Sequence, residues 1–331
     1  MSTPATKKKA PQRRAATNGA PWKLRGAGDL RTLEAPPLAR LGWLVHGFST
    51  RPGGASAVPP ATKTAERGAG RVQKLRRQKE PPRALNLGFA DWDSREYVVE
   101  NRRKFFRAIG AEDMRLATLR QIHSDAVRRI DAVAAGTEEA PTGDALITRE
   151  SGWLLAVQTA DCVPILLADV RQRAIAAVHA GWRGTLRRIA AKALGRMQME
   201  FGTRPEDVVA ALGPSIGRCC YEVGEDVVRE FQAQFTEARQ WFDGPFDALA
   251  SGESDPNWLP WLTMMPPGHA PPPLRAHLDL IAANRAILAE AGVPLRQISS
   301  SGYCTACRTD LFFSYRREGP TGRLMAVIGI L

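Results

Sequence analysis

The stretch from Trp153 to Gly184 reads WLLAVQTADCVPILLADVRQRAIAAVHAGWRG, and it decides the fold. Three apolar runs, Trp153–Val157, Val163–Ala168 and Ala174–Ala180, are each too short for a packed helix and apolar at nearly every position. That pattern marks strands buried on both faces. The segment Gln158-Thr159-Ala160-Asp161-Cys162 interrupts the first two with polar groups. Directly afterwards, Gly184–Phe201 sets Leu186, Ile189, Ala190, Ala193, Leu194, Met197 and Phe201 at helical spacing. Thr185 is its capping candidate, and Gly202 and Pro205 end it.

Working outward, Trp43–Ser49 reads as a strand followed by a Pro52-Gly53-Gly54 turn. Ser94 caps a helix over Arg95–Ile109 that turns Val98, Phe105, Phe106 and Ile109 inward. Thr118–Ile122 and Ala126–Ile130 are short strand candidates flanking His123, and Asp207–Leu212 is another strand. Glu225–Phe235 is helical, and Asp279 caps a helix that runs to Ala291 before Gly292 and Pro294. Arg296–Ser301 and Leu324–Ile330 are closing strands. Strands and helices mix without strict β-α-β alternation, which favours an α+β fold over a doubly wound sheet.

The chain has 331 residues, 44% hydrophobic and 24% charged, with a formal net charge of +12. Residues 1–26 carry seven basic residues and no acidic one, and residues 62–83 carry eight basic residues against Glu66 and Glu80. The rest of the chain is therefore nearly neutral. A nucleic-acid-binding fold should carry its charge on the folded surface. Here the charge sits in a basic N-terminal tail, residues 1–28, and in an inserted loop over about 55–83. Specific nucleic-acid binding is not expected, only weak non-specific attraction through those pieces. A second, Pro/Gly/Trp-rich insertion is expected at about 240–275, with ordered structure beginning near Leu30. No run of eighteen apolar residues exists, and residues 1–26 hold no apolar signal segment. With an odd count of five cysteines, this points to a cytoplasmic chain without a disulfide framework.

Candidate chemistry gathers at strand ends. His123, Cys162 and His179 together make a His₂Cys set that zinc would accept while keeping one position open. The same atoms also suit a Cys162 nucleophile with a histidine base, and spacing does not separate the two. Each residue taken alone is equally a buried thiol or a satisfied imidazole. Arg183, at the start of the clear helix, is placed to hold an anion, and Ser49-Thr50-Arg51-Pro52-Gly53-Gly54 is a similar glycine-rich turn. Phe312-Phe313-Ser314-Tyr315-Arg316-Arg317 interleaves rings and cations and suits either a pocket wall or the core. Cys304-Thr305-Ala306-Cys307 reads as packing or a turn. A structural zinc there would need a second pair, and the adjacent Cys219 and Cys220 look poorly spaced for it.

Several of these segments together resemble a known family. They are Ser49–Gly54, Leu85-Asn86-Leu87-Gly88, Glu100-Asn101-Arg102-Arg103, Gln121-Ile122-His123 and Thr159–Pro164. His179–Gly184, Gly213–Val223, Cys304–Cys307 and Phe312–Arg317 continue the match in order. The chain is similar to the YfiH-like family, also called the laccase-domain or polyphenol oxidase family, whose members include purine nucleoside phosphorylases. The resemblance runs from about residue 40 to the C-terminus. It implies one α+β domain, 29–331, with mixed β-sheets packed between helices as a layered sandwich. It implies zinc held by His123, Cys162 and His179. It also implies phosphorolysis of adenosine, inosine, guanosine and methylthioadenosine, with deamination of adenosine. On that reading Asp161 shuttles protons, Arg51, Arg183 and Arg316 meet the substrate or its phosphate, and Asn86 and Gln121 hold ribose or base. Some relatives are similar to peptidoglycan editing factors, so a Cys–His amidase acting on cell-wall precursors is the alternative. The expected partners are purine nucleosides and phosphate, with no membrane, and the chain is expected to act as a monomer. Multicopper oxidation is excluded by counting, because a laccase needs a trinuclear copper cluster beside its His₂Cys copper and five histidines cannot supply both.

Overall fold

The structure is a computed structural model that describes residues 21–26, 28–57, 83–131, 140–246 and 275–331. It opens with β1 (Lys23–Arg25), β2 (Thr32–Glu34), α1 (Pro36–Ala39), β3 (Leu44–Ser49), β4 (Pro52–Ala57) and β5 (Arg83–Ala84). Next come α2 (Arg95–Ala108), β6 (Arg115–Ala117), β7 (Val127–Arg129) and β8 (Ala145–Thr148). The three deciding runs form β9 (Trp153–Thr159), β10 (Val163–Asp169) and β11 (Ala174–Ala180). After them lie α3 (Trp182–Leu186), α4 (Ile189–Phe201), β12 (Val208–Leu212), β13 (Glu222–Val223), α5 (Glu225–Gln234) and β14 (Phe242–Asp243). The last elements are β15 (Ala276–Leu278), α6 (Leu280–Glu290), β16 (Ile298–Ser300), α7 (Tyr315–Glu318) and β17 (Leu324–Ile330).

Two mixed six-stranded sheets dominate, ordered β1-β2-β3-β17-β9-β6 and β16-β12-β10-β11-β8-β7. Alternation along each strand explains why both faces are apolar. On β10, Leu166 and Ala168 point into a core shared with Leu155 and Val157 of β9 and Ile328 of β17. Ile165 and Leu167 point the other way, against Ile189, Leu194 and Met197 of α4 and Ile287 of α6. On the far face of the first sheet, Leu154 and Val327 pack on Phe105 of α2. The result is the expected layering of two sheets between helices. Truncating a wholly buried leucine such as Leu166 to Ala would cost about 2–5 kcal/mol.

Local chemistry sets the helix ends. Ser94 Oγ accepts the Tyr97 N–H at 3.3 Å and starts α2, and Asp279 Oδ1 accepts the Ala282 N–H at 2.8 Å and starts α6. Gly202 ends α4 in the left-handed region. Among the described residues, no helix is long and apolar enough to cross a membrane.

Several expectations change. Structure starts before Leu30, because Trp22 packs on Phe48 and β1 pairs with β2. Pro52–Ala57 is a strand rather than a turn, and it pairs with β5. Thr118–Ile122 is not a strand, since Gln121 spends its side-chain amide on the backbone of Gln158 instead. The single helix over Gly184–Phe201 is two. Arg188 takes φ 58°, and Thr185 lies buried inside α3, accepting from Asn284 Nδ2 at 2.9 Å, rather than capping. The beginning of the 240–275 insertion is ordered core: Trp241, Phe242 and Phe246 are buried, and β14 pairs with β15. Residues 1–20, 58–82 and 247–274 hold most of the expected tail and insertions and lie outside the described residues.

Candidate metal centre

The topology brings three distant side chains to one point. His123 lies between β6 and β7, where the chain passes from the first sheet to the second. Cys162 lies on the next such passage, between β9 and β10. His179 sits at the end of β11, and the β10–β11 register sets Pro164 opposite it. The coordinating atoms of His123, Cys162 and His179 all lie within 4.8 Å of one another. Cys162 Sγ is 3.8 Å from His123 Nε2, and the two imidazole centroids are 5.0 Å apart at 73°.

Gly181 makes this approach possible. A Cβ there would stand 3.0 Å from both Cys162 Sγ and His123 Cδ2. His123 has φ 58° and Asp161 φ 100°, so both crossovers hold non-glycine residues in a costly backbone region. Such strain persists where the surroundings enforce it. For His123 the enforcing group is Asp144, wholly buried just before β8. Its carboxylate accepts the N–H groups of Ile122 (3.3 Å), His123 (3.0 Å) and Ser124 (2.6 Å), and the Ser124 hydroxyl (2.6 Å).

Asp144 also orients His179, whose Nδ1 is 2.9 Å from Oδ1. Burial pushes the Asp144 carboxyl up, but the hydrogen bonds from His179 and Ser124 outweigh it and hold it below the usual carboxylate range. An ionised carboxylate only accepts, so Nδ1 keeps its proton, and Nε2 is the nitrogen that would give up its proton to bind an ion. Burial likewise raises the Cys162 thiol, but His179 and His123 outweigh it and its pKa is lowered. The mirror effect raises His179 against its own burial. The donor set therefore fits a divalent ion: one readily ionised thiol and two imidazoles, one of them backed by a carboxylate. Sequence reasoning missed Asp144. Its only signal was an aspartate immediately before an apolar strand.

The expected substrate contacts divide. Arg51 Nη1 pairs with Glu318 at 2.5 Å and donates to Thr309 O at 3.0 Å, and its guanidinium stacks on Phe313. Asn86 is wholly buried, with its amide spent on Gly88, Asp93 and Arg323. Gln121 exchanges both amide hydrogen bonds with Gln158 at 2.8 Å. The polar groups of these three side chains are engaged within the protein. Both carboxylate oxygens of Asp161 also have partners: Oδ1 accepts from Thr305 Oγ1 and Oδ2 from the Arg316 N–H, each at 2.7 Å. Arg183 and Arg316 remain exposed. The Arg316 guanidinium stands 5.2 Å over the Tyr221 ring, and the fields of Cys162 and Arg183 both reach the Tyr221 hydroxyl. Tyr221 thus joins the rim, a contact the sequence did not reveal.

The cysteine reading also changes. Cys219, Cys220, Cys304 and Cys307 form a second group whose sulfur atoms lie within 4.8 Å of one another. The C-x-x-C, read as packing or a turn, and the adjacent pair, read as poorly spaced for a second half-site, meet in space.

A solved structure, that of YlmD from Geobacillus stearothermophilus, has the same fold at a TM-score of 0.68 and 30% identity, with 92% of this chain and 97% of that chain covered. A purine nucleoside phosphorylase of Deinococcus radiodurans is 38% identical over 305 residues, 92% of this chain and 94% of its own length. An adenosine deaminase, RL5, from an unknown prokaryotic organism is 38% identical over 229 residues, 67% of this chain and 77% of its own length. The family model described as multi-copper polyphenol oxidoreductase laccase matches residues 45–331, and the chain belongs to that family.

Proposed function

We propose that the chain is a zinc-dependent purine nucleoside enzyme that phosphorolyses adenosine, inosine, guanosine and methylthioadenosine and deaminates adenosine. The observation that carries this reading is the convergence of His123, Cys162 and His179 on one point, with Asp144 fixing the tautomer of His179. Relatives named for both activities support the substrate class. Zinc bound by these three residues would supply a Lewis acid with one open position and lower the pKa of a water there.

The chain's own residues do the rest. The exposed Arg183 and Arg316 bind the phosphate, and the Tyr221 ring beneath Arg316 offers a flat apolar wall to the purine. In phosphorolysis a phosphate oxygen bonds to the ribose anomeric carbon, and the glycosidic pair leaves with the purine nitrogen, which takes a proton. In deamination the oxygen of water adds to the purine carbon bearing the amino group, which departs as ammonia. Asp161 is a positioning residue that holds the Cys162 crossover through Thr305 and Arg316. The five free cysteines suit a reducing cytoplasm, and we assign the chain as a monomer.

The Cys–His amidase reading uses the same atoms, since His123 Nε2 lies beside Cys162 Sγ. One experiment separates them. Metal content is measured on the purified chain, and adenosine is then supplied with and without phosphate, before and after chelation. Adenine reports phosphorolysis, inosine reports deamination and hypoxanthine reports both. Cys162→Ala should lose the zinc of this centre and turnover together. Full turnover in that variant would overturn the zinc reading, while full activity after chelation with covalent trapping at Cys162 would establish the amidase.

A further inference from the structure

We propose that Cys219, Cys220, Cys304 and Cys307 form a second metal site, a closed tetrathiolate that holds a single zinc ion and locks the Asp161 crossover in place.

The strands deliver the four residues. β12 and β16 are adjacent and parallel, with Ala210 opposite Ile298 and Leu212 opposite Ser300. Cys219-Cys220 follow the first and Cys304 and Cys307 the second, and a bridge between Ser215 and Cys304 keeps the two loops together. The Cys220 and Tyr221 N–H groups both donate to Gly217 O, at 2.9 and 3.0 Å. That tight turn lets neighbouring cysteines send both sulfurs to the same side.

The distances suit an ion. Cys307 Sγ is 3.5 Å from Cys219 Sγ and 3.4 Å from Cys220 Sγ, and all four sulfurs lie within 4.8 Å. A zinc tetrahedron with Zn–S bonds of about 2.3 Å has sulfur–sulfur edges of about 3.8 Å. Donors face two of the sulfurs as well. The Gly217 N–H donates to Cys304 Sγ at 3.2 Å, and Arg317 reaches Cys220 Sγ at 3.9 Å while donating to Ala306 O, inside the C-x-x-C, at 3.2 Å. Four thiolates around one divalent ion leave a net negative charge, which this arginine offsets. Position 217 is also tight, since a Cβ there would stand 3.2 Å from Cys304 Cβ and 3.4 Å from Cys219 Sγ. Tetrahedral four-sulfur geometry selects zinc or iron–sulfur chemistry, and four closed ligands with no open position make a structural site.

The consequence lies at the first centre. Thr305, between the two ligands of the C-x-x-C, donates to Asp161 Oδ1, and the Ile216 N–H donates to Asp161 O at 2.8 Å. The two clamped loops grip the residue before Cys162 from side chain and backbone together.

The test removes the first centre. Cys162→Ala/His179→Ala is purified from zinc-supplemented medium and assayed by native mass spectrometry and elemental analysis. It should retain about one zinc per chain, and adding Cys304→Ser/Cys307→Ser should release it. No metal in the double variant, iron in place of zinc, or zinc that survives loss of Cys304 and Cys307 would each overturn the proposal. Should the quadruple variant not fold, the double variant is instead exchanged with Co²⁺. A thiolate-to-cobalt charge-transfer band with tetrahedral d–d absorption supports the site, and its absence overturns it. Peptide mapping without reductant adds a further check, because a Cys307 disulfide to Cys219 or Cys220 as the resting state would also overturn it.

Discussion

His179 Nδ1 lies 2.9 Å from Asp144 Oδ1, with both side chains shielded from solvent. The same carboxylate holds the His123 backbone, so one buried aspartate sets the position of one imidazole and the orientation of the other. Asp144→Asn keeps the shape but turns one acceptor into a donor facing the Ser124 N–H and hydroxyl. Zinc affinity should fall about 10–100-fold, as it does when carboxylates behind metal-bound histidines are lost. Competition against a chromophoric chelator measures this, and unchanged affinity in a folded variant would remove Asp144 from the account. Asp144→Ala strips a buried acceptor from several donors and should cost on the order of 3–5 kcal/mol in denaturant unfolding.

Gly181 is extended, at φ −74°, so alanine is acceptable to the backbone there. The obstacle is the 3.0 Å approach of its Cβ to Cys162 Sγ and His123 Cδ2. Gly181→Ala should therefore spare most of the stability, costing about 1–3 kcal/mol, the usual range for overpacking. Metal affinity should drop by at least about tenfold, since both displaced groups are proposed ligands. Equal zinc affinity in the two proteins would mean the ligands do not meet at Gly181.

What the sequence revealed follows from what each signal encodes. Strands β9, β10 and β11 were legible because double-sided burial demands unbroken apolar runs. His123, Cys162 and His179 were legible as scarce donors beside those runs. The partners of Arg51, Asn86 and Gln121 were not legible for a physical reason: a polar side chain looks free until its partner is known. Glu318, Asp93 and the Gln158 backbone are those partners, and two of the three lie far away in sequence. The break at Arg188 was hidden because apolar spacing continues through it and arginine is no helix breaker. The four-cysteine group was hidden because β12 and β16 are neighbours only in space.

His46 gives a pH test independent of any metal. It is buried in β3, its Nε2 accepts the Ala35 N–H at 3.0 Å, and burial lowers its pKa from 6.5 to about 4. Above pH 6.5 both folded and unfolded chains hold it neutral, so it adds no pH slope. Between about 6.5 and 4 the unfolded chain takes up a proton that the folded chain refuses, and stability falls as pH falls. By pH 4 the loss from this group is roughly 3 kcal/mol. His46→Gln keeps an acceptor for Ala35 without the titration. Urea midpoints across this window should fall less steeply for the variant, and parallel curves would show that His46 titrates normally.

Arg51 and Arg183 looked alike in sequence as cations beside glycine turns, and the structure gives them opposite surroundings. Arg51 is held by Glu318, Thr309 O and the Phe313 ring. Arg51→Ala should lower unfolding stability by on the order of 1–3 kcal/mol, a partly shielded pair being worth less than a buried one. The KM for phosphate should stay unchanged. Arg183 is exposed and stacks on Trp182 at 4.3 Å. Arg183→Ala should leave stability within about 0.5 kcal/mol, as exposed substitutions do. Its KM for phosphate should rise by about tenfold through loss of a charge-assisted contact, and Arg183→Ala/Arg316→Ala should raise it further. Deamination needs no phosphate, so adenosine turnover to inosine should be far less affected in both Arg183 variants. If the phosphate KM moves with Arg51 and not with Arg183, the anion lies on the opposite side of the centre and the substrate pose must be reversed.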